Sequence, residues 1–270
     1  MSNSANRNIF HRSQWITCVA LGCLMALGQS AIAQQYTSIP VKVNGAAARQ
    51  LSNKASSARR DAASYAANKG ALDQYYLQFF FPSMTSYRSQ DLARLGKGRD
   101  ALMRDIRGAK VPAAHKQILD IAFKTTQSIS RGDYHPAVRY NAVLILGALD
   151  DKQGTKTTPP VPRATATKSL LELLENDQFE NVKVPASLKV GALVGLERHA
   201  HCGIPEEAAT QVTKAALKVI AQEEPAADVS PDVHHWMQCQ AARVLTRLYE
   251  KKPNPQVQTA LVKMINNGNL

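Results

Sequence analysis

The stretch that decides the fold is His135–Leu149, which reads HPAVRYNAVLILGAL. Its core positions are spaced by three and four residues, as in a helix that buries one face. The same pattern returns about fifty residues later and again about forty-nine residues after that. Three copies at one period predict a stack of similar structural units. The recurring structural positions are Val138, Ala142 and Leu146, then Leu188, Ala192 and Leu196, then Ala241 and Leu245.

Each copy follows an amphipathic segment of its own, so each unit is predicted to be a pair of helices. Pro136, Pro185 and Pro231 stand near the start of the second helix, where a missing N–H group does no harm. The predicted fold is therefore all-α, with units at about 115–150, 165–202 and 205–250. A capping helix is expected over 254–266.

A further unit is inferred at about 70–110. Leu72, Tyr75 and Tyr76, with the two phenylalanines that follow, have the spacing of a core-facing helix, and Pro82 is expected to end it. Residues 34–69 contain many Ala and Ser residues but few large apolar ones. We interpret them as a flexible basic leader, in which an Ala-rich helix would be poorly anchored. The repeat domain would then span 70–267.

The first copy resembles the second helix of a HEAT repeat, whose pattern is Pro, any residue, Val-Arg, two spacers, Ala, three spacers and Leu-Gly. It has Pro136, Val138-Arg139, Ala142 and Leu146-Gly147 at those positions. The later copies depart from the pattern at both the Arg and the Gly. Those replacements are Lys189 and Gln238 for the Arg, and Glu197 and Thr246 for the Gly.

The resemblance covers about residues 115–250 and implies a short right-handed α-solenoid of HEAT-like helix pairs. Such proteins mostly bind other proteins along extended surfaces, while a minority of similar repeats serve enzymes that handle bilin pigments. Arg139 is expected to be structural, bonding carbonyl groups or an acid in the adjacent unit.

The N-terminus matches a secretory signal peptide. Arg7 and Arg12 precede an apolar stretch, Trp15–Leu27, and small residues follow at Ala31 and Ala33. We predict a signal peptide over 1–33, cleavage after Ala33, and a periplasmic or extracellular location. A retained N-terminal anchor and a lipoprotein modified at Cys23 are the alternatives. Nothing later in the sequence could span a membrane.

Composition excludes several classes of protein. The chain of 270 residues is 44% apolar and 6% aromatic and has four cysteines. It is too apolar for a wholly disordered polymer and too poor in cysteine for a disulfide-stapled miniprotein. Few aromatic residues with much Ala and Leu favour packed helices over a β-sandwich.

The formal charge of +12 is concentrated in the N-terminal half. Residues 34–135 hold 16 Lys and Arg against 7 Asp and Glu. This surplus could attract an anionic envelope polymer or lipid headgroups, although a solvated helix face is the simpler interpretation. No aromatic residue lies between Tyr87 and Phe123, so specific nucleic-acid binding by base stacking is not expected. The candidate basic patch comprises Arg88, Arg94, Lys97, Arg99, Arg104, Arg107 and Lys110.

No phosphate loop, zinc-protease motif, nucleophile elbow, Cys-x-x-Cys or dinucleotide fingerprint occurs in the sequence. We therefore assign no catalytic residue, no cofactor and no metal site, and predict that the protein is not an enzyme. One His- and Cys-rich region offers weak candidate metal ligands, although its spacing matches no zinc pattern. These candidates are His199, His201, His234 and His235, close to Cys202 and Cys239.

Cys202 and Cys239 could also form a disulfide in an exported protein. The repeat alignment argues against it, because it separates them by roughly 18 Å along the helix axis. Trp236 and Met237, beside these residues, are interpreted as core residues, with an exposed binding anchor as the alternative.

Taken together, these patterns predict an exported, non-catalytic scaffold that binds a protein partner of unknown identity. The alternative is a charge-driven binder of anionic envelope polymer or lipid headgroups, acting through the basic N-terminal half.

Overall fold

The computed structural model describes residues 35–266, and these are mostly helical, which confirms the all-α prediction. The predicted signal peptide, 1–33, lies outside the described residues. The helices are α1 (Gly45–Ala58), α2 (Ala62–Tyr75), α3 (Phe81–Met84), α4 (Ser89–Leu92), α5 (Leu95–Gly108), α6 (Pro112–Arg131), α7 (Pro136–Leu146), α8 (Ala164–Glu175), α9 (Ala186–Cys202), α10 (Glu206–Ala221), α11 (Pro231–Tyr249) and α12 (Pro255–Asn266).

Short strands occupy two of the connections between helices. β1 (Asp150–Lys152) pairs antiparallel with β2 (Val161–Pro162) between α7 and α8. β3 (Gln178–Phe179) pairs antiparallel with β4 (Val182–Lys183) between α8 and α9. Each hairpin brings the end of one helix back towards the start of the next.

The helices of the C-terminal half pack in successive pairs. α6 packs on α7, α8 on α9, and α10 on α11. The second helices also contact one another in order, α7 with α9 and α9 with α11, and α5 contacts α7 in front of them. Among the first helices, α8 contacts α10 and α10 contacts α12. Each interior helix therefore has neighbours both within its own pair and in the next one.

The recurring residues of the sequence pattern point inward. Val138, Leu188 and Met237 are buried, as are the alanines and leucines four and eight positions after each of them. The alanines permit a close approach between helices, and the leucines fill the space beside them. Pro136 is exposed at the first turn of α7, where it replaces an N–H group that would have no partner in the helix.

Two glycines bring α7 and α9 into backbone contact. A Cβ atom on Gly147 would lie 2.7 Å from the Cα atom of Gly195. A Cβ atom on Gly195 would lie 3.0 Å from the Cα atom of Gly147 and 2.8 Å from Leu170 Cδ1 in α8. No side chain fits between these helices at this point. Gly147 belongs to the HEAT-like pattern, whereas its partner Gly195 was not singled out from the sequence.

The structure differs from the flexible leader predicted over residues 34–69. This segment contains all of α1 and the first half of α2, and the two helices pack along each other. Helix α1 buries Ala48, Ala55 and Ala58. The prediction was based on the lack of large apolar residues. A stripe of alanines is enough here, because small side chains let the two helix axes approach closely and the atoms of both helices then come into van der Waals contact.

Pro82 does not end the aromatic helix as expected. One turn of π-helix, Tyr76–Phe80, follows α2, and α3 then runs through Pro82 to Met84. Proline has no N–H group, so Pro82 interrupts the hydrogen bonding of the preceding turn, which includes the carbonyl of Gln78. The backbone N–H of Lys42 donates to that carbonyl at 3.0 Å.

The extended segment around Lys42, residues 37–42, is bonded to the rest of the protein at two further points. The N–H of Ile39 donates to Thr85 Oγ1 at 2.8 Å, and the N–H of Thr37 donates to the carbonyl of Asp133 at 2.8 Å. Residues 37–42 therefore form a strap across the end of the aromatic helix and the turn before α7.

We expect Gly195→Ala to lower the free energy of unfolding by about 1–3 kcal/mol, because the new methyl group meets backbone that cannot move aside. Gly70→Ala in α2 is the matched control, since a Cβ atom there meets nothing within 4 Å. That change should leave stability unaltered or raise it by up to about 1 kcal/mol through helix propensity. Urea unfolding followed by circular dichroism measures both, and equal effects would contradict the packing described.

Candidate functional site

The four candidate metal-binding histidines do not converge. His199 is fully buried in α9, and its Nδ1 atom is hydrogen-bonded to Thr167 Oγ1 at 2.9 Å. His234 Nε2 is 3.0 Å from the carbonyl oxygen of Gln222, and His235 Nε2 is 3.7 Å from Cys239 Sγ. His201 is exposed at the end of α9. Within residues 35–266, no group of three His, Cys, Asp or Glu side chains is placed to hold a metal ion.

Cys202 and Cys239 are not joined by a disulfide. Cys202 lies at the C-terminal end of α9, whereas Cys239 lies in the first half of α11. Burial raises the pKa of the Cys202 thiol, although the nearby Arg198 guanidinium acts in the opposite direction.

His199 is instead a buried joint between helices α8 and α9. Its Nε2 atom makes no hydrogen bond to any described residue. Burial disfavours the charged imidazolium, and the neighbouring Arg198 adds repulsion, so the pKa of His199 falls to about 4. The ring is therefore neutral near pH 7.

Arg198 joins α9 to the chain that follows α7. Its Nη1 and Nη2 atoms donate to the two carboxylate oxygens of Asp150 at 2.9 and 2.7 Å, and Nη1 also donates to the carbonyl of Gly147 at 3.2 Å. Asp150 is buried. A bidentate bond of this kind fixes the orientation of the two side chains as well as their distance. The contact between α7 and α9 is therefore stabilised by both the glycine packing and this ion pair.

Arg139 is buried, as a structural role predicts, but its partner is not in the adjacent unit. Its Nε atom donates to the carbonyl of Ser130 at 3.1 Å, in α6 of the same helix pair. Burial lowers the pKa of the Arg139 guanidinium, and the charge of Asp133 acts against this change. Arg139 thus fastens α7 to the helix before it.

Exposed positions recur along the second helices at the same places in each pair. Aligned on Val138, Leu188 and Met237, the rows share one side of α9, α11 and α7 with the turn that follows it, and we call this side the second-helix face. All nine positions are exposed or partly exposed, and in the second and third rows the most exposed position is the one in α11. The rows are Ala137, Ser187 and Trp236; Leu144, Val194 and Arg243; and Ala148, Arg198 and Arg247.

Trp236 is the largest apolar side chain on this face, with 48% of its surface exposed. The prediction that it belongs to the core is wrong, whereas Met237 is buried as predicted. Successive residues of a helix point about 100° apart, and in α11 Met237 lies on the packed side while Trp236 lies on the solvent side. When the Gln240 amide is oriented to accept from Trp236 Nε1 at 3.3 Å, it also donates to Glu197 at 3.3 Å. In this orientation, Gln240 connects the indole of Trp236 to Glu197 of α9.

The residues of the predicted basic patch lie on or beside α4 and α5. Six of the seven are exposed, and none of these six forms an ion pair with a described residue. Arg99 differs, because it is half-buried and its Nη1 atom donates to Asn141 Oδ1 in α7 at 3.2 Å. Arg99 therefore ties α5 to α7.

Two of the cavities towards the C-terminal end of the helix row lie beside α10. One, of about 790 Å³, is a groove between α10 and α12 whose apolar walls include Leu217, Ile220 and Met264. The other, of about 450 Å³, lies beside β4 and is edged by the ion pairs Lys183–Asp228 and Lys189–Asp177. Neither contains the arrangement of acid, base and nucleophile that hydrolytic chemistry uses.

In the part of the chain that the structure describes, no helix has both the length and the apolar character needed to cross a membrane. Comparison of the chain with protein-family models, with curated proteins and with solved structures yields no match. The proposed function therefore rests on the shape and chemistry of this chain's own surfaces.

We expect His199 to make stability dependent on pH. Its pKa is about 4 in the folded protein and about 6.5 when unfolded, so the stability present above pH 6.5 is lost as the pH falls towards 4. The loss should be about 3 kcal/mol. Wild type and His199→Gln should therefore differ by a constant free energy of unfolding above pH 7, and that difference should fall by this amount at pH 4.

Urea unfolding at intervals from pH 8 to 4 measures this difference. The other titrating groups, including the partly buried His115, are present in both proteins and cancel. Parallel stability curves for the two proteins would contradict a buried neutral His199.

Proposed function

We propose that this protein is an exported, non-catalytic scaffold that binds a protein partner, built as a short right-handed α-solenoid of HEAT-like helix pairs. The pairs α6–α7, α8–α9 and α10–α11, with second helices that contact in order, support this architecture. The proposed export rests on the signal-like sequence of residues 1–33.

The observation that carries the proposal is the repetition of exposed positions along the second-helix face. A stack of similar units buries the same positions in every unit and leaves the same positions open. The open rows on α7, α9 and α11 therefore lie side by side and form one extended surface. Extended surfaces of this kind suit a partner that lies across several units.

The chemistry of the face is also suited to a protein. Leu144 and Val194 supply aliphatic surface in the middle row, while Trp236 and Arg243 are exposed on α11. Tryptophan and arginine are enriched among the residues that contribute most to protein–protein binding. With the Gln240 amide oriented to accept from the indole nitrogen, Trp236 has less side-chain freedom to lose on binding.

We expect the protein to capture a discrete partner from an envelope extract of its own host, in washes of both about 0.1 M and 0.5 M salt. A packed interface survives this change, whereas contacts between exposed charges are screened. Trp236→Ala should weaken retention of that partner at least about 30-fold, as expected for a residue worth 2 kcal/mol or more. Arg243→Glu should weaken it as well.

The matched controls lie away from the second-helix face. Ile265→Ala removes an apolar side chain from α12 that is 59% exposed, and Lys252→Glu reverses an exposed charge. Both should retain the partner as wild type does. Equal retention by the face variants and the controls would refute binding through this face, and loss of all bound protein at 0.5 M salt would refute the packed-interface proposal.

The proposed export makes a separate prediction about the N-terminus. Because small residues stand at Ala31 and Ala33, we expect the protein isolated from its host to begin at Gln34. N-terminal sequencing or intact mass measurement decides this. Ala33→Asp should block cleavage, since the cleavage site requires a small residue. A chain that keeps residues 1–33 would contradict the cleaved-signal prediction.

A further inference from the structure

Two loops that are far apart in sequence meet at the C-terminal end of α5. The backbone N–H of Lys110 donates to the carbonyl of Arg59 at 2.8 Å. The Arg59 guanidinium forms an ion pair with Asp105, whose carboxylate also accepts a hydrogen bond from the Tyr76 hydroxyl at 2.8 Å. The turn between α1 and α2 therefore lies against the end of α5.

This contact adds a cation to the basic patch. Arg60 follows Arg59 directly and is exposed, so it lies beside the end of the helix that carries Arg104 and Arg107. On a helix, residues three positions apart are neighbours on one side. We call Arg60, Arg104, Arg107 and Lys110 the basic junction. The sequence does not reveal this cluster, because more than forty residues separate Arg60 from the other three.

The nearby acids are largely occupied by internal donors. Asp105 is taken by Arg59 and Tyr76. Asp61 caps α2, with its two carboxylate oxygens accepting from Ser64 N and Ser64 Oγ at 2.8 Å each, and these bonds lower the pKa of Asp61. Asp61 still places one negative charge next to Arg60, and Asp100 is exposed on α5.

The four cations of the basic junction are not bonded to acidic side chains in this way. None forms an ion pair with any carboxylate among residues 35–266. The side-chain bonds they make are the local ones from Arg60 to Ser57 Oγ and from Arg107 to the carbonyl of Met103. Their positive charge is therefore available to a ligand.

The surroundings of the basic junction decide which class of ligand fits. No large apolar side chain is exposed between residues 93 and 110. A protein interface needs apolar or aromatic anchors, and an amphipathic helix that enters a lipid surface needs an apolar face. Three of the four cations are arginines, whose planar forks match phosphate oxygens. An open surface that offers positive charges without apolar anchors suits a flexible, negatively charged polymer.

We propose that the basic junction binds a linear polymer of phosphate groups through its backbone charges. Each cation neutralises a phosphate and releases a condensed counterion, so affinity depends steeply on salt. This site is independent of the second-helix face and goes beyond the proposed protein scaffold.

The test measures binding of inorganic polyphosphate to the full chain at several salt concentrations. Replacing Arg60, Arg104, Arg107 and Lys110 with Gln should reduce the slope of log K against log salt by about 3, at about 0.7 for each lost contact. Affinity at about 0.1 M salt should fall more than tenfold. The control replaces Lys152, Lys156, Lys168 and Lys214 with Gln, which are exposed and form no ion pair with a described residue.

Both quadruple variants lower the formal charge by the same amount, so they separate a site from attraction by net charge. An unchanged slope in the control supports the site, and equal losses in the two variants overturn it. Circular dichroism checks that each variant is folded. Vesicles of phosphatidylglycerol and phosphatidylcholine form the second arm, and tighter binding to these than to polyphosphate at equal phosphate concentration overturns the polymer assignment.

A pair of single variants tests the contact between the two loops. Arg60→Gln should lower the salt slope by about 0.7, whereas Arg49→Gln should not change it. Both arginines are exposed, but Arg49 lies about 14 Å further back along α1. If Arg60→Gln has no effect on the slope, the junction as defined is wrong.

Discussion

The contact between the backbones of Gly147 and Gly195 is the constraint on which the rest of the helix row depends. Because neither residue has a side chain, α7 and α9 approach until their main chains touch. That approach places Leu170 of α8 against Gly195 and brings Arg198 within reach of Asp150 and the carbonyl of Gly147. Helix α11 packs on α9 as well. A larger residue at either glycine would separate all of these contacts together.

Buried polar groups reinforce the same joint. Arg198 and Asp150 satisfy each other where α7 ends, and His199 binds Thr167 where α8 passes α9. Polar contacts in a dry interior are strong when paired and costly when broken, so they fix the relative position of helices more narrowly than apolar packing does. His199 is neutral here, because burial and the charge of Arg198 outweigh the opposing effect of the Gly147 backbone on its pKa.

Ion pairing differs between the first helices of the pairs and the region around α5. Along the first helices, Asp120 holds Lys116 and Arg163, and Arg131 is paired with Glu172. In the N-terminal part, Asp105 is bonded to Arg59 and Tyr76, Asp61 is bonded at the start of α2, and the basic junction forms no ion pair with a described residue. The second-helix face instead combines aliphatic groups with Trp236 and arginines. The two proposed binding surfaces thus differ in physical character, one apolar and one electrostatic.

The sequence by itself determined the helical content, the period of the repeated pattern and the recurring buried positions of the second helices, because helical spacing and apolar character are local properties. It also indicated the basic surplus of the N-terminal half. Only the tertiary structure decided that α1 packs through alanines, that Lys42 donates to the carbonyl of Gln78 beside Pro82, that Trp236 faces outward, and that Arg60 joins the end of α5. Each of these depends on which distant backbone or side chain lies opposite, and residue spacing along the chain contains no information about that neighbour.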